Sequence, residues 1–259
     1  MKRVNENMQL TAIGKVTAVV EALAGEHTLS GVARHTGLPV STVHRILREL
    51  DDAGWVRRDD EAGYVLSARL LGLAGRATQA DRLVHVARPA LRRLNEETGH
   101  AVHLAIRSGD EAVYVDKIEG RGSYHMRSRI GLAMCLHSTA LGKAMLAALP
   151  TEEVREILAR TGMPAKTQHT ITDLGALLPH LRTIRENGCA LDHEENENNT
   201  RCVAAVIMDD RGKPVGGLSV AGLAFEFDEQ RVTALAPLVH RAARSVTTAL
   251  GGDPDVSAG

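Results

Sequence analysis

Aromatic side chains are scarce: one Trp, three Tyr and two Phe make up 2% of a 259-residue chain. The core must therefore be built from Ala, Val, Leu and Ile. Cysteine is nearly as rare. Cys135, Cys189 and Cys202 are odd in number, widely spaced and form no C-x-x-C pair, which argues against a disulfide framework and a Cys-rich zinc site and predicts buried free thiols. No apolar run approaches the roughly 18 residues of a membrane span, and MKRVNENMQL lacks the apolar stretch of a signal peptide. A cytoplasmic protein with no membrane partner is expected. An overall excess of positive charge is also missing: the net charge is −1. Residues 1–80 carry ten Lys/Arg against nine Asp/Glu, so any DNA binding must rest on local placement of charge.

What is present is ordinary for a globular protein, 44% hydrophobic and 24% charged. At this length two domains are expected. Ile13, Val16, Val19, Val20 and Leu23 recur at helical spacing, and Gly25 follows them as a stop. Ser30 is a candidate cap for a second, short helix, and Gly37-Leu38-Pro39 forces a turn. Ser41 or Thr42 then suits the cap of a third helix, closed by Gly54. WVRR and YVL read as short strands, with DDEAG between them as a hairpin turn. Helical spacing returns through Leu70, Leu71 and Leu73, then from Asp81 to Gly99. The domain boundary falls near residue 80, dividing 1–80, with the start of a linker, from 81–259.

Beyond it AVHLAIR, EAVYVDKI and SYHMRSRI alternate as strands of an antiparallel sheet. Helices are predicted at STALGKAMLAAL, from Thr172 or Asp173 to Gly188, and from Asp228 to Leu250. RCVAAVIM and PVGGLSVAG read as a hairpin around DDRGK. The whole predicts an α+β domain with its helices on one side, and a disordered tail from about residue 251.

The third helix, within LPVSTVHRILREL, has two unlike faces. Val43, Ile46, Leu47 and Leu50 form an apolar stripe that any small helical domain would bury. Ser41, Arg45 and Arg48 lie opposite, with Thr42 and His44 on the shoulders. Short hydroxyls and helix-start amides can hold phosphates while an Arg reaches a guanine edge. Arg57 and Arg58 fall where a wing would make a second phosphate contact. In the second domain, Ser138 or Thr139 can cap a helix whose first amides are those of Ala140, Leu141 and Gly142, a start suited to a carboxylate.

The run LSGVARHTGLPVSTVHRILRELDDAGWVRRDDEAGYVLSARLLGLA resembles the DNA-binding domain of the IclR family of transcriptional regulators. The resemblance continues through RSRIGLAMCLHSTALGKAMLAALP, TITD, LDHEENE and RCVAAVIMDDRGKPVGGLSVAG, from about residue 10 to residue 250. It implies an N-terminal winged helix-turn-helix, a linker helix and a C-terminal GAF-like α/β effector-binding domain, working as a homodimer or homotetramer on a partly palindromic operator. It also implies a small organic acid bound by Met126, Met134, Ala140, Leu141, Asp192, Cys202 and Ser219. Two departures bear on that site. Ala221 stands where the family often has a second serine, and Asn199-Thr200-Arg201-Cys202 stands for its Gly-x-Arg-Cys run, with Thr200 a new polar group. VDKIEGRGSYHMRSRIG and DHEENE are most similar to the branch that regulates sugar-acid and 2-keto-3-deoxygluconate catabolism.

Two other readings compete. Cys135 with His137, or Cys202 with Asp192 and His193, could be a nucleophile and base, but no complete set with an oxyanion site is visible, so no enzyme is expected. His100, His103, His125, His137, His169 and His193 could make a metal-responsive regulator, yet H-A-V-H is not a zinc spacing. No cofactor and no bound metal are expected.

Overall fold

The computed structural model describes residues 11–59, 63–70, 80–122 and 126–253. It divides into two compact units, Met1–Gln79 and Ala80–Gly259.

In the first unit, α1 (Ala12–Ala22) starts where Gly14 N–H donates to Thr11 Oγ1 at 3.1 Å. It buries Val19 and Ala22, with Leu23 beneath its end. Ile13 departs from the expected stripe and is 76% exposed. Helix α2 (Leu29–Thr36) is capped by Thr28 rather than Ser30, through Gly31 N–H at 3.0 Å. Its end is Gly37, whose φ of 68° is left-handed.

Helix α3 (Val40–Asp52) begins earlier than expected. Pro39, with φ −56°, occupies the cap position and no side chain caps the helix, so Ser41 and Thr42 lie inside the first turn. Val43, Ile46 and Leu47 join Val19, Leu23, Val32 and Val56 in one core.

The wing is an antiparallel ribbon of β1 (Val56–Asp59) and β2 (Gly63–Leu66), with Val56 opposite Leu66. Of the expected DDEAG turn, residues 60–62 lie outside the described ones. Gly63 has φ 88°, and a Cβ there would stand 2.5 Å from the His27 carbonyl, which also accepts from Tyr64 N–H at 2.8 Å. Only glycine lets the ribbon sit this close to the α1–α2 turn. Ser67 Oγ donates to Gly54 O at 2.6 Å, and Arg69 lies over the Trp55 ring at 5.7 Å. Most of the helix expected around Leu71 and Leu73 lies outside the described residues.

The second unit is built on a six-stranded sheet in the order β5-β4-β3-β8-β7-β6. The strands are β3 (Ala101–Ser108), β4 (Glu111–Ile118), β5 (Ala133–Cys135), β6 (Ala190–His193), β7 (Thr200–Met208) and β8 (Pro214–Leu223), all antiparallel to their neighbours. Strand alternation divides its side chains between two cores. Val102, Leu104, Val203, Ala205, Leu218 and Val220 pack against α4 (Ala80–Thr98) and α8 (Glu229–Ala249). Ala105, Ala112, Met134, Ala190 and Ala204 face α5 (Ala140–Ala147), α6 (Thr151–Thr161) and α7 (Leu174–Asn187). Helices thus cover both faces, where the sequence reading placed them on one.

Three further elements differ from expectation. The strand expected at SYHMRSRI is absent over its described part, residues 126–130, and β5 pairs with β4 in its place. Helix α6 was unforeseen because TEEVREILART buries only Val154, Ile157 and Leu158. Strand β6 was unforeseen because it is four residues long at a sheet edge. Of the tail expected to be disordered, residues 254–259 lie outside the described ones.

Candidate functional site

On α3 the polar face is outward. Ser41, His44, Arg45 and Arg48 are exposed and Thr42 is half-buried. Within the first turn, Thr42 and Val43 N–H both donate to Pro39 O, so the amides of Val40 and Ser41 precede the first intrahelical bond. Arg45 Nη1 pairs with Glu49 at 3.0 Å on the helix surface. Such an exposed pair is worth little, so the guanidinium can exchange it for another anion at small cost. Arg57 and Arg58 are both exposed on β1, but consecutive strand residues point to opposite faces. Arg57 is held by Asp59 at 3.0 Å, and Arg58 lies opposite Tyr64.

The second unit brings distant segments onto one sheet face. Asp192 is paired with Cys202, Cys202 with Ala221, and Ala221 with Ala101. The next row runs from Ala204 to Ser219 to His103. Ala204 and Cys202 pack with Met134, Ala140 and Leu141, which places the start of α5 over these rows. Asp192, Ser219 and His103 are each more than nine-tenths buried. Thr139 Oγ1 accepts from Gly142 N–H at 3.0 Å, so the amides left at the start of α5 are those of Ala140 and Leu141. Met126 is half-buried in the loop before β5, and its carbonyl accepts from Lys117 Nζ at 3.2 Å. The same lysine reaches Ser128 O at 3.0 Å, and Ser128 Oγ meets His103 Nε2 at 2.7 Å.

The electrostatics of this face are unusual. Burial, aided by the Glu195 carboxylate, pushes Asp192 up to about 7, against the pull of Lys143 and the backbone N–H groups of Glu195 and Asn196. Its Oδ1 accepts from Glu195 N–H at 2.8 Å and from Asn196 N–H at 3.3 Å. Burial, with Lys117 beside it, holds His103 down at about 3, so its ring is neutral at physiological pH. Burial likewise raises the Tyr114 hydroxyl.

Both departures in sequence have a structural account. Asn199 has φ 62°, a left-handed conformation that asparagine tolerates better than most residues, so it can stand where the family resemblance leads one to expect glycine. Thr200 adds no free donor to the face, because its Oγ1 donates to Glu197 O at 2.9 Å. Ala221 leaves the row beside Cys202 apolar.

Sequence reasoning missed the most buried ionic group of the unit. Lys143 is fully buried on α5, pairs with Glu195 and donates to His180 Nε2 at 3.2 Å. Its signal was present in ALGKAMLA: every residue from Ala140 to Ala147 is buried, and a helix without a solvent face must find its lysine a counter-ion.

The rival constellations do not assemble. His137 bonds Pro164 O at 3.1 Å through Nε2, and His193 meets Arg201 Nη2 at 2.6 Å. Burial raises the Cys202 thiol well above its ordinary value, the opposite of an activated nucleophile. Among the described residues no three His, Cys, Asp or Glu side chains gather as a metal site requires; His125 lies outside them. No described helix is long and apolar enough to cross a membrane.

A winged helix-turn-helix with outward cations, in one chain with a sheet face that buries polar groups beneath a helix start, defines a DNA-binding regulator that carries its own sensor domain. Two family profiles match: the IclR helix-turn-helix domain over residues 12–60, and the bacterial transcriptional regulator IclR C-terminal domain over residues 75–248. The chain belongs to the IclR family of transcriptional regulators. It is 33% identical to the HTH-type transcriptional regulator KdgR of Escherichia coli over 245 residues, 93% of each chain. The crystal structure of Thermotoga maritima IclR superposes with a TM-score of 0.75 at 32% identity, covering 92% of this chain and 98% of that one. An IclR homolog from Microbacterium hydrocarbonoxydans, complexed with 4-hydroxybenzoate, superposes with a TM-score of 0.78 at 25% identity, covering 93% and 99%.

Proposed function

We propose that this chain is a one-component regulator whose operator binding is modulated by a small organic acid of the keto-acid or sugar-acid class. The DNA-binding unit would be residues 1–80 and the effector-binding unit 81–259, acting as a homodimer or homotetramer. The observation that carries the effector reading is convergence: Met134, Ala140, Leu141, Asp192, Cys202 and Ser219 come from five elements and meet on one covered sheet face. Likeness to KdgR along the whole chain supports the sugar-acid branch, and the homolog complexed with 4-hydroxybenzoate supports a carboxylate ligand. The amides at the start of α5 would hold the carboxylate, with Ser219 and Asp192 meeting hydroxyl or keto oxygens. Modulation requires that the acid bind the DNA-competent and DNA-incompetent arrangements with different affinity.

A thermal-shift panel of sugar acids, keto acids and aromatic acids, followed by operator release with each hit, tests this reading. Asp192→Ala or Ser219→Ala should shrink the thermal shift given by a hit while leaving operator binding without effector intact. Parent-like responses from both variants would mean that the site lies elsewhere.

On the DNA side, Ser41, Thr42, His44, Arg45 and Arg48 would enter the major groove, and Arg57 or Arg58 would meet a phosphate from the wing. Arg45→Ala should weaken specific binding by about 1 to 3 kcal/mol and relax preference at one base position. Filter binding on a set of single-base operator variants reads both effects. Unchanged discrimination at every position would remove Arg45 from base reading.

A further inference from the structure

Glu195 joins three parts of the second unit. Its side chain pairs with Lys143 on α5, the helix whose first residues cover the sheet face. Its N–H, with that of Asn196, donates to Asp192 Oδ1. Its carbonyl accepts from Thr170 Oγ1 at 2.6 Å, fastening the segment before α7. Glu195 is 6% exposed, and its Oε2 has no hydrogen-bond partner among the described residues. A buried carboxylate left half-satisfied is a poor stabilising device. The feature that accounts for it is what the carboxylate orients.

We propose that Lys143 and Glu195 are a positioning pair for the effector site: they lock the turn after β6 onto α5, fix Asp192 in one orientation and set the charge it shows to an acid ligand. This rests on the effector reading above. The groups around Asp192 come from every neighbouring element: Lys143 on α5, Glu195 and Glu197 in the turn, Cys202 on β7 and Tyr114 on β4. His180 on α7 and His137 before α5 face the Lys143–Glu195 pair. Burial lowers the affinity of both histidines for a proton, and the charged side chains that act on Asp192 are Glu195 and Lys143. Glu195 raises the proton affinity of Asp192 and Lys143 lowers it. In its protonated form Asp192 offers a hydrogen bond to a keto or hydroxyl oxygen of the acid; ionised, it loses that donor and its charge repels the anion. Acid binding at this face therefore weakens as pH rises through neutrality.

The test needs no ligand. The full chain, labelled with 13C at aspartate carboxyls, is titrated by NMR, and the Asp192 resonance is identified by its loss in Asp192→Asn. Glu195→Gln should move the midpoint downward by on the order of one pH unit. The double variant Lys143→Met with Glu195→Gln, neutral at both positions, should fall between that variant and the parent. It also preserves the test if Glu195→Gln does not fold. A purely structural pair would leave the midpoint of any folded variant where it was, and that result would overturn the proposal. If instead the midpoints move as stated but Asp192→Ala and Ser219→Ala both keep the parent response to acids, the hold of the pair on Asp192 stands and the effector reading fails.

Discussion

Lys143→Met should destabilise the second unit by about 3 to 5 kcal/mol, the cost of stranding a buried carboxylate. Lys143 is fully buried and Glu195 nearly so, so no solvent is at hand to replace the lost ammonium. Urea denaturation followed by circular dichroism at pH 7 measures it. A large loss that is mostly recovered by adding Glu195→Gln, which removes the stranded charge, is the expected pattern. Parent-like stability of Lys143→Met at pH 7 would show that the pair is not buried in solution.

Gly142→Ala is the second large effect, and its direction opposes helix propensity. An alanine in mid-helix is favoured over glycine by about 1 kcal/mol. Here the added Cβ would stand 2.4 Å from both Cα and O of Leu136. Those are backbone atoms that cannot swing aside, so α5 itself must move. The movement would also break the bond from Gly142 N–H to Thr139 Oγ1 and displace Ala140 and Leu141. Overpacking of this kind costs about 1 to 3 kcal/mol, occasionally more. Gly142→Ala should therefore lower the melting temperature and abolish any thermal shift given by acids. Gly25→Ala, with nothing within 4 Å of the new Cβ, is the control and should stay within about 0.5 kcal/mol of the parent. Equal melting temperatures for both variants would refute the clash.

Much of the architecture was legible because its signals are local. Gly37, Gly54 and Gly188 stop helices with positive φ, and Asp173 and Asp228 cap the helices that follow them. The apolar stripe of α3 named three buried residues, Val43, Ile46 and Leu47. Caps themselves were less legible: Thr28 and Pro39 displaced Ser30, Ser41 and Thr42, because several hydroxyls in one stretch compete and only backbone geometry chooses. Two-sided coverage of the sheet was hidden, since β3 and β7 bury both alternating sets of side chains and so give no sign of which face carries helices. The Lys143–Glu195 pair spans 52 residues, a separation that no local pattern encodes. The residues of the sheet face were named by family resemblance, and strand register supplied the reason that they meet.

Trp55 is the only tryptophan in the chain. It lies at the end of α3 with the Arg69 guanidinium over its ring, in the unit that carries the DNA-binding helix. The intrinsic fluorescence of this protein excited at the red edge of the indole band is therefore a signal from one unit alone. A change in that emission on adding an acid would report on the surroundings of Trp55, in the unit that carries the DNA-binding helix.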